Sequence, residues 1–255
     1  MSFNGVSFSI AAHAAWAPGV ETRAAWLEWA QGDRAIAGSS EPALKAMSPM
    51  LRRRSSLLGK MALEVAYQCL GERTDVPTVF CSRHGEATRS VAMLTDLAKV
   101  VPLSPTAFGM SVHNAAGGMF SIARADRASN IALAAGDSGV EHAVIEAAGL
   151  LADGAPAVLL VVYDCPIPAM FSAFQDGNQP AHAWAWLMEP ATIDASVKRG
   201  AIVSLAWSTA ADPESDDNAI TGLPGSLQVL RFHLREDSQL QRRDRQHNWL
   251  WTRNA

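Results

Sequence analysis

The sequence is poor in cysteine, in basic excess and in long apolar runs, and each shortage removes a class of protein. Only Cys69, Cys81 and Cys165 occur in 255 residues, at wide and irregular spacing. That is neither a disulfide framework nor a metal-binding knuckle, and it fits a reducing compartment. The 21 Lys and Arg are outnumbered by 25 Asp and Glu, giving a net charge of -4, so no basic field argues for a nucleic-acid partner. No window reaches the roughly 18 unbroken apolar residues that a spanning helix needs. The N-terminal stretch has no basic segment ahead of its apolar run, so it does not read as a signal peptide. The expectation is a cytoplasmic protein without a membrane span.

What is present is an alternation of strand and helix patterns. Residues 3–11 alternate and end in a turn at Pro18-Gly19. Leu57, Leu58, Met61, Ala62, Val65, Ala66 and Cys69 recur at helical spacing. Residues 76–81 read as a short buried strand, followed by a helix through Val91, Leu94 and Ala98. Ser104-Pro105 has the form of an N-cap with proline in the first turn. Residues 130–135 form a strand of small apolar residues, and Val140, Ala143, Val144, Ala147, Ala148 and Leu151 form a helix. Ser138 and Glu141 have the spacing of a capping box at its start. Residues 158–162 are apolar throughout, as in a strand buried on both faces. This order predicts an α/β layered fold. Beyond residue 165, three further strands are expected at 181–188, 201–207 and 226–234. Between them lie a connection at 190–200 and an acidic loop at 212–217. They read as an antiparallel extension (166–255) of a core half (1–165) within one domain. The tail at Gln241-Arg242-Arg243-Asp244-Arg245 reads as a solvated end.

Two short motifs have bland explanations. Arg83-His84-Gly85-Glu86 follows a strand, as in the histidine phosphatases, where a nucleophilic histidine needs a second histidine and arginine around the phosphoryl group. Here the motif lies well inside the chain, and a polar strand-to-helix turn explains it; a stand-alone hydrolase using His84 is the alternative function. Gly136-Asp137-Ser138-Gly139 matches the serine loop of trypsin-like proteases, with Ala11-Ala12-His13 echoing their histidine segment. Here, though, Val140-Glu141-His142-Ala143 launches a helix, and a helix start accounts for Asp137 and Ser138.

A longer stretch carries more weight. Ser104 to Gly118 contains Asn114-Ala115-Ala116-Gly117, and Ser129 to Gly139 ends in Ser138-Gly139. Together they resemble the N-terminal half of the β-ketoacyl synthases, from about the first strand to Asp164 and more weakly beyond. In that family a helix bearing an Asn-x-Ala-Ala-Gly pattern precedes a strand, and the strand ends in Ala-Cys-Ala-Ser-Gly at a helix N-terminus. Ser82 to Glu86, Ser111-Val112-His113-Asn114 and Tyr163-Asp164-Cys165-Pro166 look like a short subfamily, the chain-length-factor type associated with aryl polyene pathways. The resemblance implies a thiolase-like layered fold, present as a single half.

It also exposes a loss. A condensing enzyme needs a thiolate at the helix N-terminus, where the helix dipole lowers its pKa and backbone N–H groups hold the oxyanion. Alignment on Ser138-Gly139 puts Gly136 at the cysteine's position. A slip of one residue offers Ala135 or Asp137, and none of the three can carry an acyl thioester. The family's two catalytic histidines come from a second half, and after Tyr163 only about 90 residues remain. His182, His233 and His247 sit in no recognisable motif. The resemblance therefore implies a subunit with no catalytic residues of its own and no metal or organic cofactor. Its partner would be a full-length ketosynthase, with acyl carrier protein reached through the complex. Members of this fold pair through the strand before the nucleophile elbow, which makes Asn130, Ala132, Leu133 and Ala135 interface candidates. Met110, Val112, His113, Asn114 and Phe120 are candidates for the surface or tunnel wall facing the partner.

Overall fold

Alternation along the strands sorts the core into two layers on either side of one sheet. The computed structural model describes residues 4–175, 177–191, 201–210 and 222–254. Its strands are β1 (Asn4–Trp16), β2 (Thr78–Cys81), β3 (Asn130–Leu133), β4 (Val158–Asp164), β5 (His182–Pro190), β6 (Ile202–Thr209), β7 (Gln239–Arg243) and β8 (His247–Asn254). They form a single sheet in the order β3-β2-β4-β5-β1-β6-β8-β7. β2 runs parallel to both β3 and β4. The remaining pairings are antiparallel. The C-terminal strands thus extend the first half's sheet.

On β4, Val158, Leu160 and Val162 face one core, and Leu159, Val161 and Tyr163 face the other. On β5, Trp184, Trp186 and Met188 oppose Ala183, Ala185 and Leu187 in the same way. That period of two is the pleat expressed in packing. The tryptophan side is covered by α1 (Arg23–Gln31), α7 (Gly139–Ala152) and α8 (Gly225–Arg235), and the opposite side by α3 (Leu57–Leu70) and α6 (Ala115–Arg124). The result is an α/β sandwich with helices on both faces.

Local chemistry explains the helix ends. Ser56 Oγ accepts from the Gly59 amide at 3.0 Å and opens α3. Ser104 Oγ accepts from the Ala107 amide at 3.3 Å, capping the short helix α5 (Pro105–Gly109) as its Ser-Pro pair predicts. In α6, Gly117 is required by proximity: a Cβ there would stand 2.3 Å from Asn130 Oδ1. The Asn130 side chain is itself fixed by donating to Thr78 Oγ1 at 2.6 Å.

Several expectations need correction. Residues 226–234 are not a strand but the body of α8, between Pro224 and the left-handed Glu236. Residues 241–245 are not a solvated tail: Gln239–Arg243 is β7, and Arg242 is buried. β1 continues to Trp16 past a bulge between Ile10 and Ala12. The acidic loop at 212–217, and all of 190–200 beyond Ala191, lie outside the described residues.

Candidate functional site

The ends of β2 and β4 open onto one cavity, and the turn after β3 forms part of its wall. β3 leads through Ala134 and Ala135 into a 3-10 turn, Gly136–Ser138, which becomes α7. Gly136 adopts φ +57°, and among the described residues no neighbour lies within 4 Å of the Cβ position. The expected capping box does not form. Ser138 Oγ donates to Asp244 Oδ2 instead, and Trp249 Nε1 donates to Ser138 Oγ at 3.2 Å and to Asp244 Oδ2 at 2.8 Å. Glu141 is sequestered by Arg242 in a fully buried ion pair. Trp251 Nε1 also donates to Glu141 at 3.2 Å, and Arg242 donates to the Asp137 carbonyl at 3.2 Å. The C-terminal strands therefore clamp the turn from behind. Gly225 is part of the clamp, because a Cβ there would lie 1.9 Å from the Arg242 guanidinium.

On the opposite wall, Asp164 at the end of β4 gathers the turn after β2. Its Oδ1 accepts from Ser82 Oγ at 3.0 Å and from the Arg83 amide at 2.9 Å. Burial pushes its carboxyl up to about 6, and these hydrogen bonds and the Arg83 charge only partly oppose the shift. Arg83 reaches across to Asp137 at 2.5 Å. Glu86 accepts from Ser56 Oγ at 2.6 Å and pairs with Arg89 at 3.2 Å. Arg83 through Glu86 are thus held by carboxylates and a serine as a structural turn, which gives the phosphatase alternative no support. The protease echo dissolves likewise: His13 packs edge-on against His233 with ring centres 4.7 Å apart.

The cavity encloses about 390 Å³. Gly136, Asp137 and Gly139 line it from the turn, Cys81 and Asp164 from the strand ends, and His182 and Ser226 from the C-terminal part. Cys81 is the thiol nearest this turn, its Sγ 3.2 Å from where a Gly139 Cβ would be. Burial, reinforced by the Asp164 and Glu141 carboxylates, pushes its pKa far up, so it stays a thiol and is no substitute nucleophile. Cys165 packs into the core on the α3 side of the sheet. Among the described residues no group of three or more His, Cys, Asp or Glu side chains is placed to hold a metal ion.

The residues singled out from sequence fall into three places. Gly136 borders the cavity. Asn130, Ala132, Leu133 and Ala135 lie on or just past β3, the terminal strand of the sheet. Met110, Val112, His113 and Asn114 form the approach to α6, where His113 Nε2 meets the Ser82 carbonyl at 2.9 Å. Phe120 is different: at 3% exposure it is core, packed against Tyr67 and Phe80. Sequence reasoning missed His182, Ser226 and Arg242. Each depends on partners more than 40 residues away, or in His182's case also on a backbone carbonyl, and no local motif announces them.

This sheet, with a strand–turn–helix elbow at one end, is the N-terminal half of a condensing-enzyme fold. The chain belongs to the β-ketoacyl synthase N-terminal domain family, whose model matches residues 26–252. A chain in the complex of a ketosynthase (ApeO) with its chain length factor (ApeC) from Xenorhabdus doucetiae is 25% identical, with a TM-score of 0.79 over 97% of this chain and 100% of that one. The ishigamide ketosynthase/chain length factor aligns at 17% identity and a TM-score of 0.64, covering 89% of this chain and 73% of the other. A chain in the complex of a type II polyketide acyl-carrier protein with its hexaketide-bound ketosynthase aligns at 11% identity and a TM-score of 0.70, over 99% and 100%. No curated protein matches the chain in sequence. Among the described residues no helix is long and apolar enough to cross a membrane.

Proposed function

We propose that this chain is a non-condensing, chain-length-factor-type subunit. It pairs with an active β-ketoacyl synthase and shapes the end of that partner's acyl tunnel in fatty acid, polyketide or aryl polyene synthesis. The observation that carries the reading is the uncovered β3 end of the sheet. Among the described residues β3 has a strand neighbour on one side only, and its Asn-Ile-Ala-Leu sequence carries no charge. Elsewhere on the surface, no residue of α4 (Ala87–Ala98) is buried, and Leu94 (60% exposed), Val100 (89%) and Phe108 (61%) stand in solvent. An apolar edge of this kind is a liability unless a partner covers it. The 25% identical relative comes from a ketosynthase–chain length factor complex, which supports the same partner class. Asn130, Ala132, Leu133 and Ala135 then form the pairing strand, with Met110, Val112, His113 and Asn114 flanking it. Phe120 supports that surface from beneath.

Lack of condensing activity follows from Gly136, which aligns with the family's cysteine and offers no side chain. Two measurements test the reading. Mixed with its cognate ketosynthase, the chain should co-elute on size-exclusion chromatography. Given acyl and malonyl carrier-protein thioesters without that partner, it should form no ketoacyl product. Failure to associate with any ketosynthase of its host, or condensation by the isolated chain, would overturn it.

A further inference from the structure

The cavity beside Gly136 contains a serine–histidine pair that condensation does not use. His182 opens β5 and is 1% exposed. Its Nδ1 lies 2.8 Å from the Pro180 carbonyl oxygen, and its Nε2 lies 2.8 Å from Ser226 Oγ. A carbonyl only accepts, so Nδ1 carries the ring hydrogen and Nε2 is left to accept from the serine hydroxyl. Burial holds the imidazole down at about 4, so it is neutral and its lone pair is available at physiological pH. Nucleophile, base and an orienting acceptor stand in one line, with a backbone carbonyl as the third member.

Ser226 occupies the first turn of α8, whose opening amides have no acceptor within the helix. The Pro224 carbonyl accepts from the Leu227 and Gln228 amides at 2.9 and 3.1 Å. Among the described residues the Gly225 and Ser226 amides have no acceptor, and an oxyanion could take them. Val140, Val162, Leu223 and Pro224 give the cavity an apolar lining. Its volume of about 390 Å³ suits a short chain.

We propose that Ser226 and His182 form an acyl-accepting dyad, and that the cavity takes a short-chain acyl ester or thioester and transfers the acyl group to water. Ser226 Oγ bonds to the carbonyl carbon while its proton passes to His182 Nε2. The bond from carbon to the leaving sulfur or oxygen breaks, and the proton leaves with that atom as a thiol or alcohol. Water then attacks the acyl-serine ester, its proton passing through Nε2 to Ser226 Oγ as the carboxylic acid departs. Nothing is oxidised or reduced. The activity does not depend on the partner subunit, so it goes beyond the function proposed above.

The test uses the isolated full chain and a fluorophosphonate, which labels a serine activated by a base. Intact mass and peptide mapping should show one adduct, at Ser226, absent from Ser226→Ala. His182→Gln should slow labelling roughly 100-fold. The wild-type labelling rate should stay level from about pH 8 to about pH 5 and fall only as the ring protonates near 4. The same dyad should hydrolyse p-nitrophenyl butyrate and S-butyryl-N-acetylcysteamine, and the ratio of the two rates separates ester from thioester preference. A folded wild-type chain that is not labelled at Ser226 would overturn the proposal, as would labelling that is unaffected by His182→Gln. Should that variant not fold, His182→Asn decides, and labelling of that folded variant at the wild-type rate rejects His182 as the base. Ser226→Ala should still co-elute with the ketosynthase, so failure here and failure of the pairing are read separately.

Discussion

The two edges of the sheet are built on opposite plans. At one end β7 reads Gln-Leu-Gln-Arg-Arg, polar and charged. Charge on a terminal strand is a standard defence against unwanted pairing. At the other end β3 reads Asn-Ile-Ala-Leu, short and uncharged, and elsewhere on the surface Leu94 and Leu97 of α4 stand exposed. The helices differ in the same sense: α1 and α8 bury Trp26, Trp29 and Phe232, whereas α4 buries nothing. An edge protected at one end and open at the other is what a protein needs if it joins a single partner in one orientation.

The most damaging way to break this asymmetry is to defend the open edge. Leu133→Arg, or Ala132→Arg, would bury an unpaired charge in the interface at a cost of roughly 3–5 kcal/mol. Association with the ketosynthase should weaken by about two to four orders of magnitude. Far-UV circular dichroism establishes that the variant is folded, and size-exclusion chromatography reads the pairing. Gln241→Arg on the β7 edge should leave pairing unchanged. A folded Leu133→Arg chain that still co-elutes would move the interface elsewhere.

Next in size is the clamp at the defended end. Arg242→Met strands the buried Glu141 carboxylate and should cost about 3 kcal/mol in urea unfolding, the lower end of the range because the Trp251 indole still donates to it. Replacing both members, Glu141→Leu with Arg242→Met, should recover most of the loss. A double variant no better than the single would show that the pair does more than neutralise itself.

Smaller still is the contrast between two carboxylates. Burial holds Asp164 up at about 6, so its ionisation opposes folding, and its contribution to stability falls as pH rises from about 4 to 6. Burial would raise Asp244 too, but hydrogen bonds from Ser138, Trp249, Gln246 and His247 hold it down at about 2. Its stabilisation is therefore present above about 4 and lost as pH falls toward 2. Asp164→Asn keeps the acceptor for Ser82 and Arg83 and should remove the loss of stability between pH 4 and 6. Asp244→Asn should alter the profile mainly below pH 4. Urea midpoints measured across pH check both signs, and a change in the opposite window would refute the assignment. Smallest of all, Leu97→Glu on the exposed face of α4 should weaken pairing only about tenfold, because a rim charge stays hydrated.

Much of this asymmetry was legible beforehand, and the rest was hidden for identifiable reasons. β4 and the β3 region announced themselves by composition, and α3 and α7 by helical spacing, because local patterns decide those elements. Residues 226–234 misled because Leu230, Phe232 and Leu234 also alternate, as a strand would. The structure resolves this in favour of a helix that buries Leu227, Val229, Leu230 and Phe232 together. β7 was invisible because a defended edge is polar by design, and polar strands look like tails. The clamp was out of reach for another reason: Arg242 and Glu141 are 101 positions apart. The turn at Gly136 needed only the resemblance around Ser138-Gly139. The His182–Ser226 pair needed the fold.

If Gly136 holds the place of the family's cysteine, as proposed above, the turn has an evolutionary reading. Among the described residues no neighbour has grown into the space where a side chain would stand. The glycine codons GGU and GGC become cysteine codons by one base change, and the left-handed backbone at this position would charge the newcomer only roughly 1–2 kcal/mol. The vacancy is therefore open to reversion in structure and in genetics alike.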